Sequence, residues 1–201
     1  MTNKNRRFYF STTVPLLFLI LVLSSICTAQ MQTWQIDPNH TASQFSVRHL
    51  GISTVRGVFE KTTGTVNYDP ADPAKTSINA AIDASTVNTR VQMRDNDLRS
   101  PHFLEVTKYP TITFESTHVA VAGAGKLTVT GNLKIHGVTK QVVLDVEGPS
   151  EMIKDPMGNM RMGANATTKI NRKDFGITYM PGAVGDEIQL TLDVEMTHPT
   201  K

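Results

Sequence analysis

The sequence contains a single cysteine, and this shortage limits the folds and sites that the chain can form. The cysteine, Cys27, lies in an N-terminal segment that we expect to be removed. The remaining residues 30–201 have no thiol for a disulfide or for a thiolate metal site. They are numerous enough to bury a core of ordinary size, so we expect the fold to stand on packing alone.

An excess of charge of either sign is also missing once the N-terminal segment is set aside. The whole chain has 20 basic and 18 acidic residues. Residues 1–29 contain three basic residues and no acidic one, so 17 basic and 18 acidic residues remain, a net charge of −1. This balance gives no electrostatic indication of a nucleic acid or of an anionic membrane surface as partner.

Long apolar stretches are confined to the N-terminus. A basic start, the apolar run 14–23 and small residues up to Ala29 form the pattern of a secretory signal peptide over residues 1–29. The run is shorter than the about 20 residues that span a bilayer. We therefore expect residues 30–201 to form a periplasmic or secreted domain, with no stable membrane insertion after cleavage.

Lipoprotein processing at Cys27 is the alternative for this segment. It would leave the domain tethered to a membrane by an acylated cysteine. The bulky Ile26 before the cysteine disfavours it, because such processing expects a small residue there.

Common catalytic and cofactor motifs are absent as well. The sequence has no Gly-x-Ser-x-Gly elbow, His-Glu-x-x-His helix, phosphate-binding glycine loop or dinucleotide fingerprint. We therefore predict a protein that is not an enzyme and has no cofactor. A hydrolase with dispersed catalytic residues is the alternative, because Asp37, His40 and Ser43 lie close together in sequence.

Histidines are present but scattered, with no His-x-His and no i, i+4 pair, so we predict no metal site. We expect His40, His49 and His136 to hydrogen-bond loop backbone at the ends of the fold. Asn165-Ala166-Thr167 matches a glycosylation acceptor, but Ala166 falls on an apolar face, so we interpret the segment as an ordinary strand.

The dominant pattern that is present has a period of two, which sends alternate side chains to opposite faces of a strand. It predicts strands whose apolar faces carry the following residues: Phe45, Val47 and His49; Ile78, Ala80 and Ile82; Ile112 and Phe114; Leu127, Val129, Gly131 and Leu133; Val142, Leu144 and Val146; Met162, Ala164 and Ala166; and Ile188, Leu190, Leu192 and Val194.

Turn-forming residues separate these strands, at 69–73, 123–125, 136–137, 148–149, 155–158 and 181–186. About eight short strands with one dry face favour a closed antiparallel barrel, because closure removes exposed sheet edges. A two-sheet sandwich is the alternative. Residues 88–108 differ: Asn88 or Thr89 is placed to cap a helix, which Pro101 then ends.

Five segments, in this order, resemble the YceI-like family of polyisoprenoid-binding, lipocalin-like proteins. They are WQIDPNHTASQFSVRH (34–49), VRGVFEKTTGTV (55–66), RDNDLRSPHFLEVTKYPTITF (94–114), GNLKIHGVTK (131–140) and INRKDFG (170–176). The family usually has Ser at the position of Thr41, a change that keeps the hydroxyl.

The resemblance implies an all-β fold, an extended eight-stranded antiparallel lipocalin-like barrel with a helical insertion near one mouth. It also implies an elongated channel for a polyisoprenoid or other long-chain lipid, such as an isoprenoid quinone, a polyprenyl lipid or a fatty-acid-like lipid. Small residues among large ones on the dry face are compatible with such a channel, and equally with a packed barrel that tapers. A filled barrel acting through a protein partner is therefore the alternative function. A homodimer is left open.

On this basis we predict a set of ligand-binding residues on the dry face and near the mouth. They are Phe45, Val47, His49, Phe59, Ala80, Ile82, Arg94, Phe103, Phe114, Gly131, Ala164, Arg172 and Phe175. Arg94 and Arg172 have two interpretations. Either contacts a lipid headgroup, or they form internal ion pairs, Arg94 with Asp174 and Arg172 with Asp95, that clamp the helix to the barrel.

Overall fold

The computed structural model describes residues 30–198. The predicted signal peptide and its alternative at Cys27 lie outside this range and stay predictions. No helix within the described residues is long and apolar enough to cross a membrane.

Within residues 30–198 the chain forms twelve β-strands and one α-helix. The strands are β1 (Gln32–Ile36), β2 (Ala42–His49), β3 (Ser53–Phe59), β4 (Thr62–Tyr68), β5 (Ser77–Asp83), β6 (Val87–Asn88), β7 (Thr111–Gly123), β8 (Lys126–Ile135), β9 (Val138–Glu147), β10 (Ile153–Lys154), β11 (Met160–Asn171) and β12 (Val184–His198). The helix α1 spans Gln92–Arg99 and lies between β6 and β7.

Eight of these strands close into an antiparallel ring. Their order is β11-β9-β8-β7-β5-β4-β1-β12, and β12 pairs again with β11 to complete the circle. β2 pairs with the same edge of β12 as β1, but nearer the start of β12. β3 then pairs with β2, and β6 pairs with β3. The predicted closed barrel is therefore confirmed, and the two-sheet sandwich is wrong.

The two seams that β11 forms differ greatly in length. β11 and β12 pair over twelve residues, from Met160 opposite His198 to Asn171 opposite Glu187. β11 and β9 pair over only three, residues 165–167 with 145–147. The end of β11 that leads into the 3-10 turn Arg172–Phe175 therefore has no strand partner on the β9 side.

The helix lies where the sequence predicts it, but its start is formed differently. Its N-cap is Val91, which makes no side-chain capping bond, so the predicted cap at Asn88 or Thr89 is wrong. Asp95 in the first turn instead accepts hydrogen bonds from the backbone and hydroxyl of Thr89. The helix ends at Arg99, before Pro101, as predicted.

Three strands carry weak period-two signals that the sequence pattern did not single out, namely β1, β3 and β4. On β4 the first two inward positions are Thr62, which is polar, and Gly64, which has no side chain, so the apolar face is not evident.

The predicted turn 181–186 is too long, because Gly185 and Asp186 already belong to β12.

Inward side chains form three connected apolar clusters along the barrel, and glycines bring aromatic rings against the wall. A Cβ at Gly57 would lie 2.4 Å from the Phe45 ring, and one at Gly131 would lie 2.4 Å from the Phe114 ring. Both rings therefore pack directly on the backbone of a neighbouring strand. They occupy space that a larger side chain on that strand would otherwise fill.

Replacing Gly64 with alanine should destabilise the barrel more than the same change at Gly123. Both glycines have positive φ, +154° and +147°, so both variants carry backbone strain of about 1–3 kcal/mol. Only at Gly64 would the new Cβ also approach a backbone oxygen, that of Asn79, at 2.2 Å. We expect Gly64→Ala to cost roughly 1–3 kcal/mol more in urea unfolding. Equal losses in the two variants would contradict the packing described for β4 and β5.

Candidate functional site: an apolar cavity inside the barrel

An elongated cavity runs through the interior of the barrel. The volume that the centre of a water molecule can reach is about 260 Å³. Alternate side chains line it from Leu127 to Ile135 on β8 and from Ile188 to Met196 on β12, eight residue steps in each case, or about 27 Å along a strand. Almost all of the lining atoms are apolar, so the cavity suits a long hydrocarbon.

The structure places most of the predicted ligand-binding residues on this wall. Ten of them line the cavity: Phe45, Val47, Phe59, Ala80, Ile82, Phe103, Phe114, Ala164, Arg172 and Phe175. That they contact a ligand stays a prediction.

The other three predicted residues do not line the cavity. His49 lies at the rim, beyond the last cavity-lining residue of β2. The Phe114 ring covers Gly131. Arg94 is turned to the backbone and hydroxyl of Thr89, at 2.9 and 2.8 Å. The structure therefore places these three residues off the cavity wall, and their contact with a ligand stays a prediction.

The side chain of Arg172 is buried, with 4% of its area exposed, and all five of its N–H groups have partners. The acceptors are the carbonyls of Ile177, Tyr179, Val184 and Gly185, at 2.8–3.0 Å, and the carboxylate of Asp186, at 3.3 Å. Neither predicted ion pair, Arg94 with Asp174 or Arg172 with Asp95, is present. Arg172 therefore fixes the chain around the start of β12 and has no donor left for a headgroup.

Sequence reasoning missed one cavity-lining residue with a polar end, Tyr68. It lies at the end of β4 remote from the helix, and its hydroxyl makes no hydrogen bond with any residue between 30 and 198. Burial raises the pKa of its phenol, and the nearby Asp69 adds to the increase. The signal that would have found it is the alternation along β4, in which Val66 and then Tyr68 occupy inward positions.

Three other hydroxyls on the interior are already paired, whereas the indole N–H of Trp34, which is buried behind the wall, has no partner among residues 30–198. The hydroxyls of Ser43 and Thr62 bond each other at 2.8 Å, and that of Thr76 donates to the Pro73 carbonyl at 2.7 Å. Tyr68 therefore stands out as a polar group at the cavity wall that is available to a ligand atom.

The three residues considered for a hydrolase do not form a triad. The Asp37 carboxylate and the His40 ring are 2.9 Å apart, but Ser43 is directed to Thr62 in the interior. His136 bonds the Phe175 carbonyl, as predicted for a histidine at the barrel end, whereas His40 bonds a side chain rather than loop backbone.

A cluster on the outer surface is organised around Arg161. Its guanidinium bonds Asp155 at 2.7 Å, Asp37 at 2.9 Å and also Glu195. Asp37, His40 and Glu195 have donor atoms close enough to share a metal ion. The cation that the two carboxylates hold is Arg161, and a metal ion would have to displace it.

The cluster lowers the pKa of two carboxyl groups. For Asp37, burial alone would raise the pKa, but hydrogen bonds from His40 and Arg161 outweigh it and lower the value to about 2. For Asp155, the hydrogen bond from Arg161 is the main cause of a pKa of about 2. The cluster ties β10, β11 and β12 to the chain between β1 and β2.

Comparisons with known proteins agree with this geometry. The family model of the YceI-like domain matches residues 34–196. The protein YceI of Salmonella arizonae is 39% identical over 181 residues, which cover 88% of this chain and 93% of that protein. A UPF0312 protein of Vibrio cholerae is 36% identical with the same coverage.

Solved structures show the same architecture. The Campylobacter jejuni YCEI protein matches with a TM-score of 0.66 and 32% identity, over 76% of this chain and 90% of that one. A polyisoprenoid binding domain from Saccharophagus degradans matches with a TM-score of 0.60 and 16% identity, over 85% of this chain and all of that domain. The latter likeness shows the fold alone.

Replacing Arg161 with glutamine should lower stability near neutral pH and flatten its dependence on acid. Because the folded-state pKa values of Asp37 and Asp155 are depressed from 3.8 to about 2, their contribution is present above about pH 4 and is lost as the pH falls through 2. Arg161→Gln removes a hydrogen bond that lowers each of these two pKa values, so the stability of the variant should change less between pH 4 and pH 2. Thermal unfolding across this range measures it, with Lys126→Gln, which breaks an exposed pair with Glu147, as control. An unchanged acid profile in Arg161→Gln would contradict the interpretation.

Proposed function

This chain belongs to the family of YceI-like domains, and we propose that it binds a long-chain lipid in the barrel cavity without catalysing a reaction. The observation that carries the proposal is the continuous apolar cavity, whose lining residues come from both ends of the barrel and from its middle. The Saccharophagus degradans domain of the same fold, which binds polyisoprenoid, supports an isoprenoid quinone or polyprenyl lipid as ligand. A fatty-acid-like lipid fits the same wall.

The physical chemistry of burial favours recognition of the chain over the headgroup. Each buried CH₂ contributes about 0.8 kcal/mol, so fifteen or so buried carbons provide roughly 12 kcal/mol before costs. Association and ordering take back about 4–15 kcal/mol. Chain length therefore changes affinity by roughly fourfold per carbon, and few polar contacts remain to choose between headgroups.

The interior is not filled by side chains, and this weighs against the alternative of a packed barrel acting through a protein partner. A role in transport or storage in the periplasm or outside the cell is part of the proposal. It follows from the predicted signal peptide together with the cavity. A homodimer would leave the cavity of each copy intact, because the cavity is complete within one chain.

Placing a phenyl ring at Ala164 should remove bound lipid while leaving a folded barrel. Ala164 is on the cavity wall, whereas its neighbour Asn165 is exposed on the outer face of the same strand. We expect native mass spectrometry to show a lipid-sized adduct on the wild type and on Asn165→Phe, and little or none on Ala164→Phe. The ligand-free midpoints of both variants should stay near that of the wild type.

Two results would contradict this expectation. An adduct of unchanged mass and affinity on Ala164→Phe would show that the lipid lies elsewhere. A loss of roughly 1–3 kcal/mol in ligand-free stability, with no adduct on the wild type, would show a packed interior and sink the lipid-binding function itself.

Replacing Tyr68 with phenylalanine should weaken only those ligands that carry an oxygen at one end. The ring is kept, so apolar contact with the chain is unchanged, and one hydrogen bond of about 0.5–1.5 kcal/mol is lost. Competition assays should show a roughly two- to tenfold weaker affinity for a long-chain alcohol and no change for the matching alkane. Equal effects on the two probes would show that Tyr68 acts through packing.

A further inference from the structure

Four large apolar side chains are exposed together at the helix end of the barrel. Leu50 and Ile52 lie in the turn between β2 and β3 and are 56% and 80% exposed, and Val91 and Met93 lie at the start of α1 and are 43% and 81% exposed. We call these four residues the rim patch. Such exposure of large apolar side chains in neighbouring loops marks an interaction surface.

Strand pairing connects both halves of the rim patch to the same strand, β3. β3 pairs with β6, with Val58 opposite Asn88. A Cβ at Gly57 would lie 2.8 Å from the Thr89 side chain, so the chain continues along β3 as it approaches α1. The segment that leads into α1 therefore lies beside the second half of β3, and the Ile52 turn precedes the first half of the same strand.

Arginines outnumber carboxylates in the chain around the rim patch. Residues 38–60 and 84–99, which run from the loop before β2 to the end of α1, contain five arginines and three carboxylates. Of these carboxylates, Asp95 is buried and Asp97 is paired with His102. Arg48 bonds Thr54 and the Gly51 carbonyl, and Arg94 bonds Thr89. Arg56 and Arg90 are exposed, and neither forms an ion pair with a carboxylate of the described residues. The net charge of −1 for residues 30–201 conceals this local segregation.

The rim patch is continuous with the cavity. Val47 and Val184 both line the cavity wall. Val184 is opposite His49 in the β2–β12 pairing, and the Leu50 backbone N–H donates to the Ala183 carbonyl at 2.7 Å. The apolar surface of the wall is therefore only a few residues from the exposed tip.

We propose that the rim patch docks the protein on the surface of an anionic lipid bilayer, and that lipid enters and leaves the cavity at this end. The proposal rests on the lipid-binding function above. Apolar side chains that insert at the headgroup boundary, flanked by arginines that attract anionic headgroups, are what reversible binding to such a surface requires. Docking is peripheral and needs no membrane-spanning segment.

A second exposed apolar group supplies a matched control. Ile153 and Met157, in the hairpin around β10, are 62% and 85% exposed, close to the values for Ile52 and Met93. This hairpin is at the opposite end of the barrel, and its two carboxylates, Glu151 and Asp155, balance its two cations, Lys154 and Arg161. The hairpin therefore exposes apolar side chains to a similar extent, but without a local excess of positive charge.

The test is co-sedimentation of the processed protein with vesicles of phosphatidylcholine alone or mixed with phosphatidylglycerol. We expect binding to the mixed vesicles that falls as salt is raised, and little binding to phosphatidylcholine alone. The variant Ile52→Ser/Met93→Ser should bind the mixed vesicles at least about tenfold more weakly. The variant Ile153→Ser/Met157→Ser should bind like the wild type.

The two functions are separated by measuring the lipid adduct on the same samples. Ile52→Ser/Met93→Ser should keep the adduct and exchange it with vesicles more slowly than the wild type. Equal vesicle binding by both double variants, or binding that ignores phosphatidylglycerol, would overturn the docking proposal. A change of oligomeric mass in the rim variant would assign the patch to a second copy and also overturn it. Absence of any adduct on the wild type would instead overturn lipid binding.

Discussion

The pairing of β11 with β12 over twelve residues closes the sheet, and closure is the constraint on which the rest of the molecule depends. In a closed ring every second side chain points inward, so the residues at those positions decide between a packed core and a cavity. Here Phe45 and Phe114 pack on the backbone at Gly57 and Gly131. Two large rings are thereby drawn to the wall, and the middle of the barrel stays open for a hydrocarbon.

Most of the fold was predictable from the sequence because period-two alternation reports directly which side of a strand is dry. It located the strands of the long β7–β12 half and the helical interruption before them. It failed on β4, where Thr62 and Gly64 occupy inward positions without apolar character. There the dry face is created by neighbours in space, with Gly64 packed against the backbone of β5, which no local pattern records.

The candidate site was predictable as a wall but not in its polar details. Apolar residues such as Phe59 and Ala164 line the cavity because their strand parity requires it. The arginines followed a different rule. Arg172 was predicted to contact either a lipid headgroup or Asp95 on the helix, yet it bonds four backbone carbonyls and Asp186 beside the start of β12. Carbonyl acceptors occur at every residue, so the sequence does not identify which of them an arginine bonds. The net charge of the chain likewise did not reveal the local excess of arginines around Ile52.

The seam between β9 and β11 gives the barrel wall an uneven stiffness. Around most of the circumference long ladders of backbone hydrogen bonds resist stretching, whereas this seam has three paired residues and then separates toward the helix end. A radial force from a bulky chain inside would be met by many bonds elsewhere and by few along this line. A thicker ligand at the helix end would therefore meet little resistance along this seam, because β11 beyond Thr167 has no strand partner on the β9 side.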